Sequence, residues 1–298
     1  MRILAPTLAA ALLALGIAAP LAGPPRAAAD AADLLPGVDL EALSAAQRQV
    51  LAAVAAEEFC YCGCPHTLSQ CLHTHAQCKH APRMARLAAR LAASGLQGGE
   101  ILRLLSEYYG SFERPRRAAL DLAAFGPPLG EAAAPVALVA FTDFTCPHCQ
   151  ALRPVVEGFV RAHAARVRLF QKPYPIAGHP RAQEAALAAE WARDAGLYWK
   201  MSDLLFGNPV ALSDGDLADR ARKLGGDPVA LRAALESSAL RARVAASQAE
   251  GRAAGIRGTP SFFLNGRRLV IPDVTAAGLE FTLEDEEEWA KRGGWAKD

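Results

Sequence analysis

The chain's 298 residues include seven cysteines, in two groups. Cys146 and Cys149 close a Cys-x-x-Cys in TDFTCPHC, with Pro147 and His148 between them. Cys60, Cys62, Cys64, Cys71 and Cys78 lie in FCYCGCPHTLSQCLHTHAQC, interleaved with His66, His73 and His75 and followed by His80. Thiols at such spacings can do three things. As thiolates they exchange with disulfides or bind soft metal ions, and when oxidised they cross-link the chain. Seven is odd, so at least one thiol is free, metal-bound or paired between chains.

The second group has an element on each side. VALVAF, Val136 to Phe141, reads as a buried strand, and Cys146-Pro147 opens a helix running toward His163. Unpaired N–H groups at a helix N-terminus stabilise negative charge, so a sulfur placed there is a good nucleophile and leaving group. Pro147 suits the first helical position, where it forfeits no hydrogen bond. His148 adds a positive charge or a donor. Cys149, one turn on, can close a small disulfide or resolve a mixed one. A plain disulfide and half of a zinc site compete with the redox reading. No Cys-x-x-Cys-His occurs, so covalent haem attachment is not indicated. Asp143, three residues before Cys146, reads either as a proton acceptor for Cys149 or as a polar turn residue.

The first group supports three readings. As a staple, its cysteines would hold together a small alanine-rich helical domain. Cys64, Cys71 and Cys78 are spaced by seven. On one continuous helix each step rises about 10.5 Å, beyond the roughly 7 Å that a disulfide allows between Cα atoms. Those three would then pair with Cys60, Cys62 or another segment. As a metal site, the five cysteines with His66, His73, His75 and His80 form a set suited to copper(I) or zinc, although paired Cys-x-x-Cys zinc spacing is missing. As a second redox centre, two of them would exchange disulfides with Cys146 and Cys149 or with clients.

The remaining elements follow from composition and periodicity. With 52% hydrophobic and 21% charged residues the chain is globular, and a net charge of +1 gives no basic field for nucleic acid. Arg2, the apolar run Ile3 to Ala19 and Ala27-Ala28-Ala29 predict a signal peptide over 1–29. Export to the periplasm or beyond follows, where disulfides persist; the alternative is an uncleaved N-terminal membrane anchor. Ser44 and Gln47 have capping-box spacing and open a helix to about Glu58. Pro82 starts a helix with Met84, Leu87, Ala88 and Leu91 on one face. Ile101, Leu104, Leu105 and Tyr108 mark another, ending at Gly110.

These helices make a cysteine-rich helical domain over 30–123, and AFGPPLGEAAAP places a linker at 124–134. Residues 135–298 continue with a second strand, Val167 to Gln171, and a helical insertion at about 177–252. Ser261 to Leu264 and Arg268 to Ile271 form a hairpin across Asn265-Gly266. A last helix, Thr282 to Lys291, carries Glu284, Asp285 and Glu286 in its first turn, where they suit the macrodipole. The fold class is α/β.

TDFTCPHC together with IRGTPSFFLNG, Ile256 to Gly266, resembles the DsbA-type branch of the thioredoxin-like fold over about residues 135–292. The resemblance implies a thioredoxin-like fold with an all-helical insertion. It also implies a cis Pro260 packed against the redox pair and a Thr259 backbone that hydrogen-bonds the client chain. It implies no cofactor beyond the redox-active disulfide. Partners would be protein clients with thiols or disulfides and a membrane redox partner of DsbB or DsbD type. Pro-His between the cysteines is typical of that family's oxidants. One departure is that several relatives carry a buried acid in the strand beneath the resolving cysteine, and VALVAF has none.

A second run, RLAARLAASGLQGGEILRLLSEYYGSFERP, is similar to the helical tail of CcmH-type cytochrome c maturation proteins, with Tyr109-Gly110-Ser111-Phe112 matching their ending. Their Cys-x-x-Cys is replaced here by Cys-x-Cys-x-Cys. The expected function is an exported thiol–disulfide oxidoreductase acting as oxidant. The alternatives are a reductase or isomerase serving cytochrome c maturation, and a periplasmic copper- or zinc-binding protein. Nothing in the sequence specifies an oligomeric state.

Overall fold

The computed structural model describes residues 31–75, 77–112, 117–210, 212–270 and 274–293. The expected signal peptide, 1–29, lies outside the described residues, as does Ile271 at the end of the expected hairpin.

The described residues open with helices α1 (Ala31–Leu34), α2 (Ala45–Glu57), α3 (Leu68–Thr74), α4 (His80–Ala93) and α5 (Gly98–Gly110). Ser44 and Gln47 cap α2 reciprocally, as their spacing predicts, and Thr67 and Gln70 do the same for α3. Helix α4 starts at His80, two residues before Pro82. A proline is tolerated there because first-turn N–H groups have no intrahelical acceptor. Leu51, Val54, Leu68, Met84, Leu87, Leu105, Tyr108 and Phe112 form a common buried core, with Cys71 inside it.

Cys64, Cys71 and Cys78 do not share a continuous helix. Only Cys71 is helical, in the seven-residue α3, while Cys64 precedes it and Cys78 follows it. The 10.5 Å separation therefore does not apply. The turn around Gly63 folds the chain back, and the Cys64 and Cys71 sulfurs lie 3.8 Å apart.

The proline- and glycine-rich stretch is held against the sheet. Leu129 exchanges both backbone hydrogen bonds with Leu169. Strand β1 (Val136–Thr142) is buried along its whole length and runs parallel to β2 (Val167–Pro173), with helix α6 (Pro147–Ala162) between them in sequence. Helices α7 (Ala182–Asp194), α8 (Tyr198–Gly207), α9 (Asp214–Lys223), α10 (Pro228–Glu236) and α11 (Ser238–Ala253) follow. β3 (Ser261–Leu264) then returns antiparallel to β1, and β4 (Arg267–Arg268) to β3, giving the order β2-β1-β3-β4. This is an α/β thioredoxin-like sheet with helices N-terminal to it. Asn265 and Gly266 have φ of 45° and 79°, the left-handed pair that their turn requires. A side chain at 266 would also strike the Ala118 carbonyl, 2.3 Å from an ideal Cβ.

The final helix, α12 (Ala276–Arg292), starts six residues before the expected Thr282, capped by the Thr275 hydroxyl, which accepts from the Gly278 N–H. Glu284, Asp285 and Glu286 are therefore mid-helix and have no first-turn role. Asp285 and Glu286 are buried and serve as anchors. Asp285 accepts from Arg83 and Tyr108, and Glu286 from Arg117 and Arg267. Phe281 of α12 enters the core of the N-terminal helices. Among the described residues no helix is long and apolar enough to cross a membrane.

Candidate functional site

β1 delivers the chain to the site, and the turn after it is fixed by Asp143. This buried carboxylate accepts from the Thr145 N–H at 2.8 Å, the Thr145 hydroxyl at 2.7 Å and the Ile176 N–H at 2.9 Å. His179 Nδ1 lies 2.8 Å from it. Cys146 occupies the N-cap of α6 with extended backbone, and Pro147 is the first helical residue. The Cys146 side chain makes no capping hydrogen bond to the helix and turns instead toward the segment before β3. Cys149 follows one turn later; both sulfurs belong to buried residues, whereas Pro147 and His148 are exposed.

The strand β3 brings its leading residues over this helix end. The Thr259–Pro260 bond is cis, and the Cys146 thiol lies 3.3 Å from the Thr259 carbonyl oxygen, which accepts from it. Burial pushes the Cys149 thiol up to about 12, against the Asp143 N–H, 3.5 Å from its sulfur, and the Thr259 side chain. His148, Leu152, Thr259, Pro260, Arg268 and Leu269 line an open groove beside the pair. Behind Cys149 is a small cleft with room for a single water molecule, lined by Thr142, Arg153, Glu157, Gln171 and Pro260.

All the residues expected at this site, Cys146, Pro147, His148, Cys149, Thr259 and Pro260, are brought together. Asp143 reaches Cys149 through its backbone N–H, while its carboxylate holds the turn. The sequence reading missed two residues. His179 left no local signal, because only the fold places it against Asp143, 36 residues away. Glu157 was readable, since it follows Cys149 by eight residues on one helix and so shares its face.

The five other cysteines form a second cluster. Cys60, Cys62, Cys64 and Cys71 have sulfurs all within 4.8 Å of one another. Cys62 and Cys64 are 3.0 Å apart, and Cys78 is 3.8 Å from Cys60. Burial pushes the Cys60, Cys62 and Cys71 thiols up. Burial opposes ionisation of Cys64 too, but contacts with Cys62, His66 and Cys71 outweigh it and bring that thiol to about 7. His66 and His75 pair at 3.0 Å beside Cys64. His73 bonds the Ser69 carbonyl within α3, and His80 is buried at the start of α4.

A paired-cysteine helix end facing a cis-proline, on this sheet order, is the architecture of thiol–disulfide oxidoreductases. The chain belongs to the thioredoxin family: the family model described as Thioredoxin matches residues 125–285, more than half of it. The solved structure of oxidised BdbD from Bacillus subtilis has a TM-score of 0.51 at 22% identity, covering 58% of this chain and 97% of that one. A linker-deletion variant of Proteus mirabilis ScsC has a TM-score of 0.52 at 20% identity, covering 72% and 99%. At these identities the likeness is one of fold. Na(+)/H(+) antiporter NhaA 3 of Salinispora tropica is 36% identical over 140 residues, which are 47% of this chain and 21% of that protein. The chain thus spans about a fifth of the length of the curated relatives it matches.

Proposed function

We propose that this protein is an exported thiol–disulfide oxidoreductase that donates disulfides to protein clients through Cys146 and Cys149. In the donating direction a client thiolate attacks the Cys146 sulfur, the Cys146–Cys149 bond breaks, and Cys149 leaves and takes a proton. A second client thiolate then attacks the client sulfur of the mixed disulfide and releases Cys146 as a thiolate. The client loses two electrons and gains a disulfide, and the pair is left reduced. The observation that carries this reading is the juxtaposition of the Cys146–Cys149 pair at the start of α6 with the cis Thr259–Pro260 segment, whose carbonyl accepts from the Cys146 thiol at 3.3 Å. The donating direction is drawn from the Pro-His between the two cysteines, the pattern typical of oxidants in the DsbA-type family. The groove at His148 and Arg268 would seat the client, with the Thr259 backbone bonding its chain.

The reduction potential of the pair in glutathione buffers tests the direction. Oxidants of this type lie near about −120 mV and thioredoxin near about −270 mV. A value toward the upper end is expected, with reoxidation by a membrane partner of DsbB type. A value toward the lower end would overturn the donor role and favour a reductase fed by a DsbD-type partner. The cytochrome c maturation reading rests on the tail at Arg86 to Pro115, and the family match begins after it, at residue 125. Export is supported by the pattern of residues 1–29, and the intact mass of the mature protein tests it. Antiport, named for the Salinispora protein as a whole, forms no part of the proposal.

A further inference from the structure

We propose that Cys60, Cys62, Cys64 and Cys71 form a tetrathiolate site for a soft d10 metal ion, zinc(II) or copper(I), separate from the redox pair. A tetrahedral ion with metal–sulfur bonds of about 2.3 Å needs sulfur–sulfur edges of about 3.8 Å. The four sulfurs already lie within 4.8 Å of each other in every pairing, and Cys64 and Cys71 are 3.8 Å apart. The Cys62–Cys64 edge, at 3.0 Å, must open by somewhat less than an ångström, and no edge has to close by more than about one. Two disulfides would require only two close pairs. Closeness in all pairings is what a central ion demands.

The backbone builds this arrangement without help from sulfur bonding. Phe59 and Thr67 form a β-bridge, the Cys60 N–H bonds the His66 carbonyl at 3.1 Å, and the Leu68 N–H bonds the Glu58 carbonyl at 2.7 Å. These contacts close the loop that carries Cys60, Cys62 and Cys64. Gly63, at φ 85°, supplies the left-handed residue that turns Cys62 and Cys64 toward each other. Cys71 comes from the core side, fully buried on α3. The helices are already held by a core of leucines, Met84 and aromatic residues, so they do not depend on a staple. A preformed loop costs an incoming ion little ordering of its ligands.

The ligand types select the ion. Thiolates without carboxylates favour copper(I) and zinc over magnesium or calcium. Each thiol that binds as a thiolate gives up its proton to solvent, so binding strengthens as pH rises. Cys78, 3.8 Å from Cys60, gives the site a fifth sulfur that can replace a ligand during loading or transfer.

The test uses the whole chain with Cys146→Ser and Cys149→Ser, so that metal on the redox pair does not count. The protein is reduced under anaerobic conditions, loaded with zinc(II) or copper(I), passed over a desalting column against a weak chelator and assayed for metal. At least about one ion per chain is expected for one or both metals, together with tetrathiolate charge-transfer bands when cobalt(II) replaces zinc. Adding Cys62→Ser and Cys64→Ser, both at half-buried positions, should abolish retention while the helical circular dichroism is unchanged. Zinc retained alone, copper alone or both identifies the ion. Retention of neither metal, or equal retention without Cys62 and Cys64, overturns the proposal. If the quadruple variant loses its fold, the cobalt(II) spectrum of the double variant decides, because a spectrum without thiolate bands overturns it as well.

Discussion

Tyr108 donates a 2.6 Å hydrogen bond to Asp285, 177 residues along the chain, with both side chains buried. Arg83 also reaches this carboxylate, so α5 and α4 are fastened to α12 at one point. Removing one partner of a buried pair leaves the others desolvated and unmatched. Asp285→Ala is expected to lower stability by about 3 kcal/mol. Urea unfolding followed by circular dichroism measures it. A loss below about 1 kcal/mol, the size of a surface pair, would show that the α5–α12 contact contributes little.

Asp143 has a comparable role at the redox end. Its carboxylate holds the N–H groups of Thr145 and Ile176, which are in the turns leading into α6 and toward His179. Asp143→Ala leaves both donors without an acceptor, at about 1–3 kcal/mol each. The expected result is a stability loss of about 2 kcal/mol or more, with faster hydrogen exchange at Thr145 and Ile176. Unchanged exchange at those two amides would remove Asp143 from its positioning role.

These two carboxylates separate what the sequence made legible from what it hid. The strand–helix start at Cys146, the Asn265-Gly266 turn and the Ser44 cap are local signals, because each depends on conformations of a few neighbouring residues. Asp285 was misread for the opposite reason. An acidic run looks like a solvated helix start, and its arginine and tyrosine partners lie about two hundred residues upstream. Gly278 and the alanines before it carry little periodic signal, so the early start of α12 went unseen. The spacing of seven between Cys64, Cys71 and Cys78 limits their pairing only on a continuous helix, and the turn at Gly63 and the short α3 instead bring two of these sulfurs together. His179 could not be assigned from spacing at all, since tertiary structure alone creates its contact with Asp143.

The two redox cysteines should behave unequally. Cys146 is at the helix start and its thiol contacts Thr259, which lines the groove, while Cys149, one turn on, faces the small inner cleft. Cys146→Ser is expected to abolish disulfide exchange with a reduced model protein. Cys149→Ser, mixed with a model protein that contains a disulfide, should let Cys146 attack and break that S–S bond and hold one half of it as a mixed disulfide, which accumulates as higher-mass bands on non-reducing gels. Adducts that survive Cys146→Ser, or that need Cys149, would reverse the assignment.

When Cys149 attacks Cys146 and expels the client thiol, the reverse of the first donating step, Cys149 must lose its proton, and burial holds that thiol up at about 12. At pH 7 only about one molecule in 10⁵ would carry the thiolate without assistance. Glu157 lines the same small cleft as Cys149, one water's width of space between the helix and β1, and Arg153 binds its carboxylate at 2.6 Å. A carboxylate reached through a water can accept the proton as Cys149 attacks. Glu157→Gln keeps the shape and the hydrogen-bonding capacity but removes the base. Mixed-disulfide decay at pH 7 is expected to slow by about 10- to 100-fold, within the range for a general base. The sign with pH follows from the raised thiol. As pH climbs toward 12, Cys149 ionises without help, so the deficit of the variant should shrink steadily. Rapid-quench measurements of adduct decay at several pH values distinguish the two roles open to Glu157. A deficit that is constant with pH would mean that it only positions Arg153 and α6.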